Sequence, residues 1–401
     1  MNLIVELAEK YEQDIIELRR YFHQHPETAW EEFGTTDRIE EELRSLGLTP
    51  HRLKENTGLW VDIKGGKADG NEVVLLRAEI DALPIQEMTG LPYTSQTPGK
   101  MHACGHDCHA AMLLGAAKIF MEIREAIPGT VRLLFQPAEE GGKGAQACIR
   151  QGVLEEVTAV YGCHVGAGIE APYFNLEPGP RTASADDLNI IIHGYAAHAS
   201  APHRGHDAVL AAGNVLMCLQ TLVSRHNDPL NPLVVTMGTI NGGQKRNIIA
   251  DEVRLEGTVR TFSNELRKKL PDMISSIVQN AAAVCGCTAE VEYIPKIGVI
   301  VHDDPKTLQI GLEAAKKLYG ENFLVNAGKV TASDDFADYL EHVPGIYPSL
   351  GIRNEEKGCI YGHHNGKFCV DESALKRGAA MFVQFAIDYL ADLQKNRGQR
   401  K

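Results

Sequence analysis

The side chains best suited to chemistry fall in four short clusters: His102-Ala-Cys104-Gly-His106-Asp107, Pro137-Ala-Glu139-Glu140-Gly, Gly162-Cys163-His164 and Tyr361-Gly-His363-His364. Thiolate, imidazole and carboxylate are the groups that bind zinc-like ions. In Cys104-Gly-His106 a tight turn at the glycine would aim both donors at one site. His102 and His109 flank that pair, and Asp107 could orient an imidazole from behind. Glu139-Glu140 follows an apolar run, where two adjacent carboxylates are costly to bury without cations. A metal ion removes that cost for one of them and leaves the other free as a general base on an activated water. Any one of His164, His363 and His364 is more simply a satisfied polar histidine. Together with the acid pair they point to a metal site. One carboxylate, one thiolate and three imidazoles exceed the needs of one four-coordinate ion, so two divalent ions are expected. The thiolate favours zinc, manganese, cobalt or nickel over magnesium or calcium.

Three apolar runs read as buried strands, and two of them lead into these clusters. Val73-Val-Leu-Leu76 leads into Arg77-Ala-Glu79-Ile-Asp81, Val131-Arg-Leu-Leu-Phe135 delivers the two glutamates, and Thr158-Ala-Val-Tyr161 delivers His164. Ligands placed after the carboxyl ends of such strands converge on one crevice of an α/β sheet. Helical spacing links Leu3, Leu7, Tyr11, Ile15, Leu18 and Phe22, and Ala110 to Arg124 also reads as a helix. Strands alternating with helices predict a mixed, mostly parallel sheet.

Residues 182–295 read differently. Strand-like Leu188–Ile192, a helix over His206–Ser224, strand-like Leu233–Met237 and Val253–Val259, a helix over Leu266–Val284 and strand-like Ala289–Tyr293 give the order βαββαβ, a ferredoxin-like two-layer unit. It interrupts the first pattern. The expected organisation is a discontinuous catalytic domain, 1–181 plus 296–401, with a lid or dimerisation domain inserted at 182–295. A helix over Ala374–Leu393 closes the chain, and the polar tail Gln394–Lys401 reads as frayed. In the inserted unit His198, Asn247, Gly242-Gly243 and Arg260 stand out. Arg260 ends a strand, where a guanidinium could grip a substrate carboxylate or simply form a surface ion pair.

The net charge of -13 argues against nucleic acid or an anionic membrane as partner. No apolar run reads as a membrane span and no secretory signal is apparent. Nine cysteines without a disulfide-like framework suggest the reducing cytoplasm.

These clusters together resemble the metallopeptidase and aminoacylase family that includes hippurate hydrolases, N-acyl-amino-acid amidohydrolases and plant auxin-conjugate amidohydrolases. The similarity runs from Arg19-Arg-Tyr-Phe-His-Gln-His-Pro-Glu27 through Leu76-Arg-Ala-Glu-Ile-Asp-Ala-Leu-Pro84, His102–Asp107 and Gln136-Pro-Ala-Glu-Glu-Gly141. It continues through Gly205-His-Asp-Ala208, Gly257-Thr-Val-Arg-Thr-Phe262, Ser333-Asp-Asp-Phe336 and His364-Asn-Gly-Lys-Phe368. The resemblance implies metal ligands at Cys104, His106, Glu140, His164 and His364, with Cys104 bridging two ions, and a general base at Glu139. His364, with Phe368, Asp371 and Glu372 after it, fits the family's run better than His363. The resemblance also implies that His198 reaches the active site of a neighbouring subunit, and that Asn247 and Arg260 hold the substrate's carboxylate. A homodimer, or a tetramer built from dimers, follows. Three positions depart from the usual pattern: Glu79 stands for Asp, Tyr195-Ala-Ala-His-Ala199 for a Gly-Gly-His step, and Asn365-Gly366 for Ser-Pro. The activity implied is hydrolysis of N-acyl-amino acids or small dipeptide-like amides. The alternatives are a carboxypeptidase or dipeptidase, an acetyl-diaminopimelate deacetylase, or a non-catalytic binder of acylated amino acids.

Overall fold

A computed structural model describes residues 2–141 and 143–398. The chain divides into two compact units. One comprises Met1–Gly179, Val301–Gly328 and Asp335–Lys401, and the other Pro180–Ile300 with Lys329–Asp334. The short return segment 329–334 belongs to the smaller unit, a feature that periodicity did not reveal.

The larger unit is built on a six-stranded sheet in the order His51–Arg52, Leu59–Lys64, Thr130–Gln136, Val73–Glu79, Val157–Gly162, Gly345–Ile346. The last four pair in parallel, and Leu59–Lys64 pairs antiparallel with both of its neighbours, as expected for a mixed and mostly parallel sheet. Val73–Glu79 is buried at every position, so its side chains meet protein on both faces, as parallel strands covered by helices require. Helices His106–Glu122 and Leu375–Gly398 pack on it. A smaller three-stranded sheet joins His164–Glu170, Ser349–Arg353 and Phe174–Asn175, and His164 is its first residue.

Two helical expectations are corrected. The N-terminal helical spacing is carried by two helices, Leu3–Lys10 and Glu12–Gln24, separated at Tyr11. The C-terminal helix continues to Gly398 instead of fraying after Leu393. Gln394 donates to the Lys67 carbonyl at 3.1 Å, and Arg397 pairs with Asp69 and Glu72, so tertiary contacts hold the polar end in place. Residues 399–401 of the expected tail lie outside the described residues.

The smaller unit is a four-stranded antiparallel sheet ordered Leu233–Gly242, Glu252–Thr261, Ala185–His193, Thr288–Ile297, with helices Ala208–Thr221 and Asn264–Ala283. This is the βαββαβ order expected of a ferredoxin-like unit. Ala185–His193 alternates strictly between half-buried and buried residues, the mark of a sheet with one face against a core. The first helix starts at Ala208, two residues after the expected point, because Asp207 caps it by accepting from the Val209 and Leu210 amides. By length and composition the helical stretch Ala208–His226 could cross a membrane, which the sequence reading did not foresee. Its Ala208, Ala211, Ala212, Val215 and Leu219 pack into the core of this unit.

Candidate metal centre and active site

The parallel strands deliver their chemistry at one edge. Beyond Glu79 comes Asp81, beyond Gln136 come Glu139 and Glu140, and beyond Gly162 comes His164. Cys104 and His106 arrive from the start of helix His106–Glu122. The residue between them, Gly105, has φ 96° and turns the chain into that helix. A helix N-terminus also favours a thiolate.

The five expected ligands come together. Donor atoms of Cys104, His106 and His164 lie within 4.8 Å of one another, and so do those of Cys104, Glu140 and His364, and those of His106, Glu139 and Glu140. Two of these triads share Cys104, the arrangement a bridging thiolate needs. Cys104 Sγ lies 3.5 Å from His164 Nε2, and Glu140 Oε1 lies 3.2 Å from His364 Nε2.

The imidazoles are aimed by their far nitrogens. His106 Nδ1 faces the Asp81 carbonyl at 2.9 Å and Asp81 Oδ1 at 3.2 Å, while Asp81 Oδ2 accepts from the Glu140 amide at 2.9 Å. His164 Nδ1 donates to the Val165 carbonyl at 2.7 Å. Each ring thus turns Nε2 toward the cluster. The expectation that Asp107 orients a ligand imidazole is corrected. Its Oδ2 accepts from Arg19 Nε and pairs with His23 Nδ1, both at 2.8 Å, and Asp81 does the orienting of His106.

His106 Nε2 is buried without a hydrogen-bond partner among the described residues, and Glu140 Oε1 meets only His364 Nε2. Buried polar atoms are rarely left so, and a divalent ion would satisfy both. Burial pushes the Cys104 thiol up, yet His164 and His106 outweigh it and bring it to about 6. Burial likewise raises Glu140, but the His364 hydrogen bond and the His106 charge hold it at about 2. The donors are therefore of the right type and charge for zinc-like cations.

Glu139 is buried, and Asp335 donates its amide to Oε1 at 3.4 Å. Ala138, just before it, has φ 53°, and His364 has φ 60°. Strained non-glycine backbone at both ends of a donor set is a mark of a functional site. Glu32 Oε1 holds the strained turn by accepting from the Ala138 amide at 2.8 Å.

Two of the neighbouring histidines, His109 and His363, are otherwise engaged. His109 contacts Glu79 Oε2 through Nδ1 and accepts from the Val165 amide through Nε2, both at 2.9 Å. His363 Nε2 accepts from the Ala167 amide at 3.3 Å, and burial takes the ring down to about 3. His102 is buried with neither ring nitrogen hydrogen-bonded among the described residues, and burial pushes it down to about 3.

Sequence reasoning missed Asp81 as the common anchor of His106 and Glu140, although it saw acids at that strand end. It also missed the layer beneath the site. There Arg77 is buried in the central strand and donates to Asp335 at 2.6 Å and Gln136 at 2.9 Å. Arg77 pairs with Glu79 as well, and Tyr347 donates to Glu79 at 2.9 Å.

The other expected site residues belong to the smaller unit. His198 Nδ1 accepts from the Ser200 amide at 3.1 Å and its hydroxyl at 2.7 Å. The Asn247 carbonyl accepts from the Ala199 amide at 3.2 Å, and His198 bridges to Ile248, so His198 and Asn247 sit on adjoining loops. Arg260 donates to the Thr331 carbonyl at 3.1 Å.

The chain is similar to several known proteins. An N-acetyl-L-cysteine deacetylase of Bacillus subtilis is 38% identical over 94% of this chain and 88% of its own length. Thermostable carboxypeptidase 2 of Saccharolobus solfataricus is 36% identical over 96% and 99%. The crystal structure of the Bacillus subtilis YxeP protein, a dinuclear metal-binding peptidase, superposes with a TM-score of 0.85 at 32% identity, over 96% of this chain and 99% of that one. The model of peptidase family M20/M25/M40 matches residues 75–388. The chain belongs to that family, and it is a metal-dependent hydrolase of amide bonds.

Proposed function

We propose that this chain releases free amino acids from N-acyl-amino acids, with Cys104, His106, Glu140, His164 and His364 holding two divalent ions and Cys104 shared between them. The overlap of two donor triads at Cys104 is the observation that supports this most strongly. Zinc, manganese, cobalt or nickel ions, when bound, supply Lewis acidity to the amide carbonyl and to water. Glu139 takes the proton of the attacking water and passes it to the leaving amine. Its burial keeps bulk water from competing for that proton. His198, contributed by a neighbouring subunit, donates to the developing oxyanion. Asn247 and Arg260 hold the carboxylate of the amino-acid portion, a charge-assisted and directional contact.

A homodimer follows from the same reading. Val209, Leu210 and Met217 of helix Ala208–Thr221 are exposed, Met217 at 73%, and so are Val234 and Ile240 of the edge strand Leu233–Gly242. An apolar helix face and an unpaired strand edge of this kind are what a partner subunit covers. The nine free thiols agree with a reducing compartment, the cytoplasm.

The substrate reading is tested with matched pairs on the metal-loaded enzyme: an N-acetyl-amino acid, its C-terminal amide, and the corresponding dipeptide. The acid is expected to be cleaved with kcat/KM roughly 10–100-fold above its amide, the worth of a charge-assisted contact. Equal rates for acid and amide would remove the carboxylate clamp. Cleavage of the dipeptide alone would move the substrate class to dipeptides.

A further inference from the structure

The loop that carries His363 and His364 is bracketed by two cysteines that the proposed chemistry does not use. Cys359 closes a small turn in which its amide donates to the Asn354 carbonyl at 2.9 Å. Cys369 Sγ lies 3.4 Å from the Gly358 carbonyl, on the residue next to Cys359. Both thiols donate into the same turn, Cys359 Sγ to the Lys357 carbonyl at 3.9 Å and Cys369 Sγ to the carbonyl of Gly358, and the two perturb each other's titration. Cys359 is buried and Cys369 half-buried, and both line a cavity of about 370 Å³ with Tyr93, Lys357 and Glu372. Lys357 is tied to Asp371 at 2.6 Å, so both ends of the loop are already held side by side.

We propose that Cys359 and Cys369 form a site of reversible oxidation, at which a hydroperoxide closes a disulfide across the base of the His363–His364 loop. Cys369 is the attacking thiol. The proximity of Cys359, with Arg19 and His23 nearby, outweighs burial and lowers its thiol to about 7, which favours attack by this sulfur. It is also the more exposed of the two, facing the cavity by which an oxidant enters. Its sulfur attacks the terminal peroxide oxygen and the O–O bond breaks. The sulfur, oxidised by two electrons, becomes a sulfenic acid, and the alcohol or water leaves with one proton. Cys359 then attacks that sulfur. The S–O bond breaks, water departs with the Cys359 proton, and the S–S bond forms. The closed ring spans residues 359–369 and ties the two ends of the loop together.

The test is graded hydrogen peroxide on the metal-loaded protein, followed by alkylation, trypsin and mass spectrometry. Trypsin cuts after Lys357, Lys367 and Lys376, so the disulfide joins peptides 358–367 and 368–376 into one species two hydrogens lighter than their sum. The proposal expects this species to rise with peroxide, two alkylatable thiols per chain to be lost with it, and dithiothreitol to restore both. In Cys359→Ser, Cys369 is expected to accumulate as a sulfenic acid trapped by dimedone. In Cys369→Ser, Cys359 is expected to stay alkylatable at the same dose. The proposal is overturned if wild-type Cys369 passes to sulfinic acid while Cys359 remains alkylatable, or if both thiols outlast the oxidation of Cys104.

Discussion

Glu139 and Cys104 belong to overlapping donor groups linked through His106 and Glu140, and the account gives them opposite phenotypes. Glu139→Gln keeps the shape of the base and removes its proton-accepting charge. Activity should fall by about 10²–10⁴-fold, the usual worth of a positioned general base, with metal content unchanged by elemental analysis. Cys104→Ala removes a donor common to two triads, and its metal stoichiometry should drop. If Glu139→Gln lost metal while Cys104→Ala kept it, the two roles would have to be exchanged. Glu32 offers a test away from the ligands. Its burial, together with the charge of Asp81, raises its carboxyl to about 7 against the hydrogen bonds from Thr57 and Ala138. A raised native pKa favours the protonated acid, so this contribution is complete below about pH 4.5 and is lost as pH rises through 7. Glu32→Gln should therefore gain stability relative to wild type between pH 5 and 8, by up to about 3 kcal/mol. Denaturant titrations at several pH values check this, and parallel curves would contradict it. At this scale the candidate ligands were legible because thiolate, imidazole and carboxylate are rare neighbours at the ends of apolar runs. Asp81 and Glu32 were not, because a supporting carboxylate looks like any other acid until its partner is known.

The elements carry the site by their ends. Three parallel strands stop at one edge, and the helix His106–Glu122 starts there. Gly105 is the joint between the ligand loop and that helix. A Cβ at this position would lie 2.4 Å from Val165 Cγ2, in a backbone region with φ 96° that side chains rarely adopt. Gly105→Ala should cost on the order of 2 kcal/mol or more in thermal or denaturant unfolding, and should loosen metal binding by moving Cys104 and His106 against His164. A variant of wild-type stability and full metal content would show that the turn is not needed. The buried strands could be read from composition because both of their faces are apolar. The break at Tyr11 and the continuation to Gly398 could not, since both depend on contacts distant in sequence: Tyr11 donates to Glu122, and the C-terminal turn is held by residues near 70.

Over the whole chain, a net charge of -13 coexists with an apolar strip on the smaller unit. The proposed homodimer uses that strip. Leu210→Glu combined with Met217→Glu should give a monomer by sedimentation velocity, with the hydrolytic rate reduced if His198 serves a neighbouring subunit. A wild-type chain that is monomeric at micromolar concentration would end the dimer proposal. The βαββαβ order of this unit was legible from alternating periodicities, but the return of residues 329–334 to it was not, because six residues carry no period.

The central claim is that the Cys104-centred cluster makes this chain a metal-dependent amidohydrolase, and add-back of metal tests it most directly. The protein is stripped with chelator, its bound metal is quantified, and zinc, manganese, cobalt or nickel is returned while free amino acid is measured from N-acetyl, N-benzoyl and indole-acyl amino acids. The account predicts no release without metal, and release that saturates as bound metal approaches two ions per chain. Hydrolysis that persists in fully stripped, folded protein, or none with any metal bound, would contradict it.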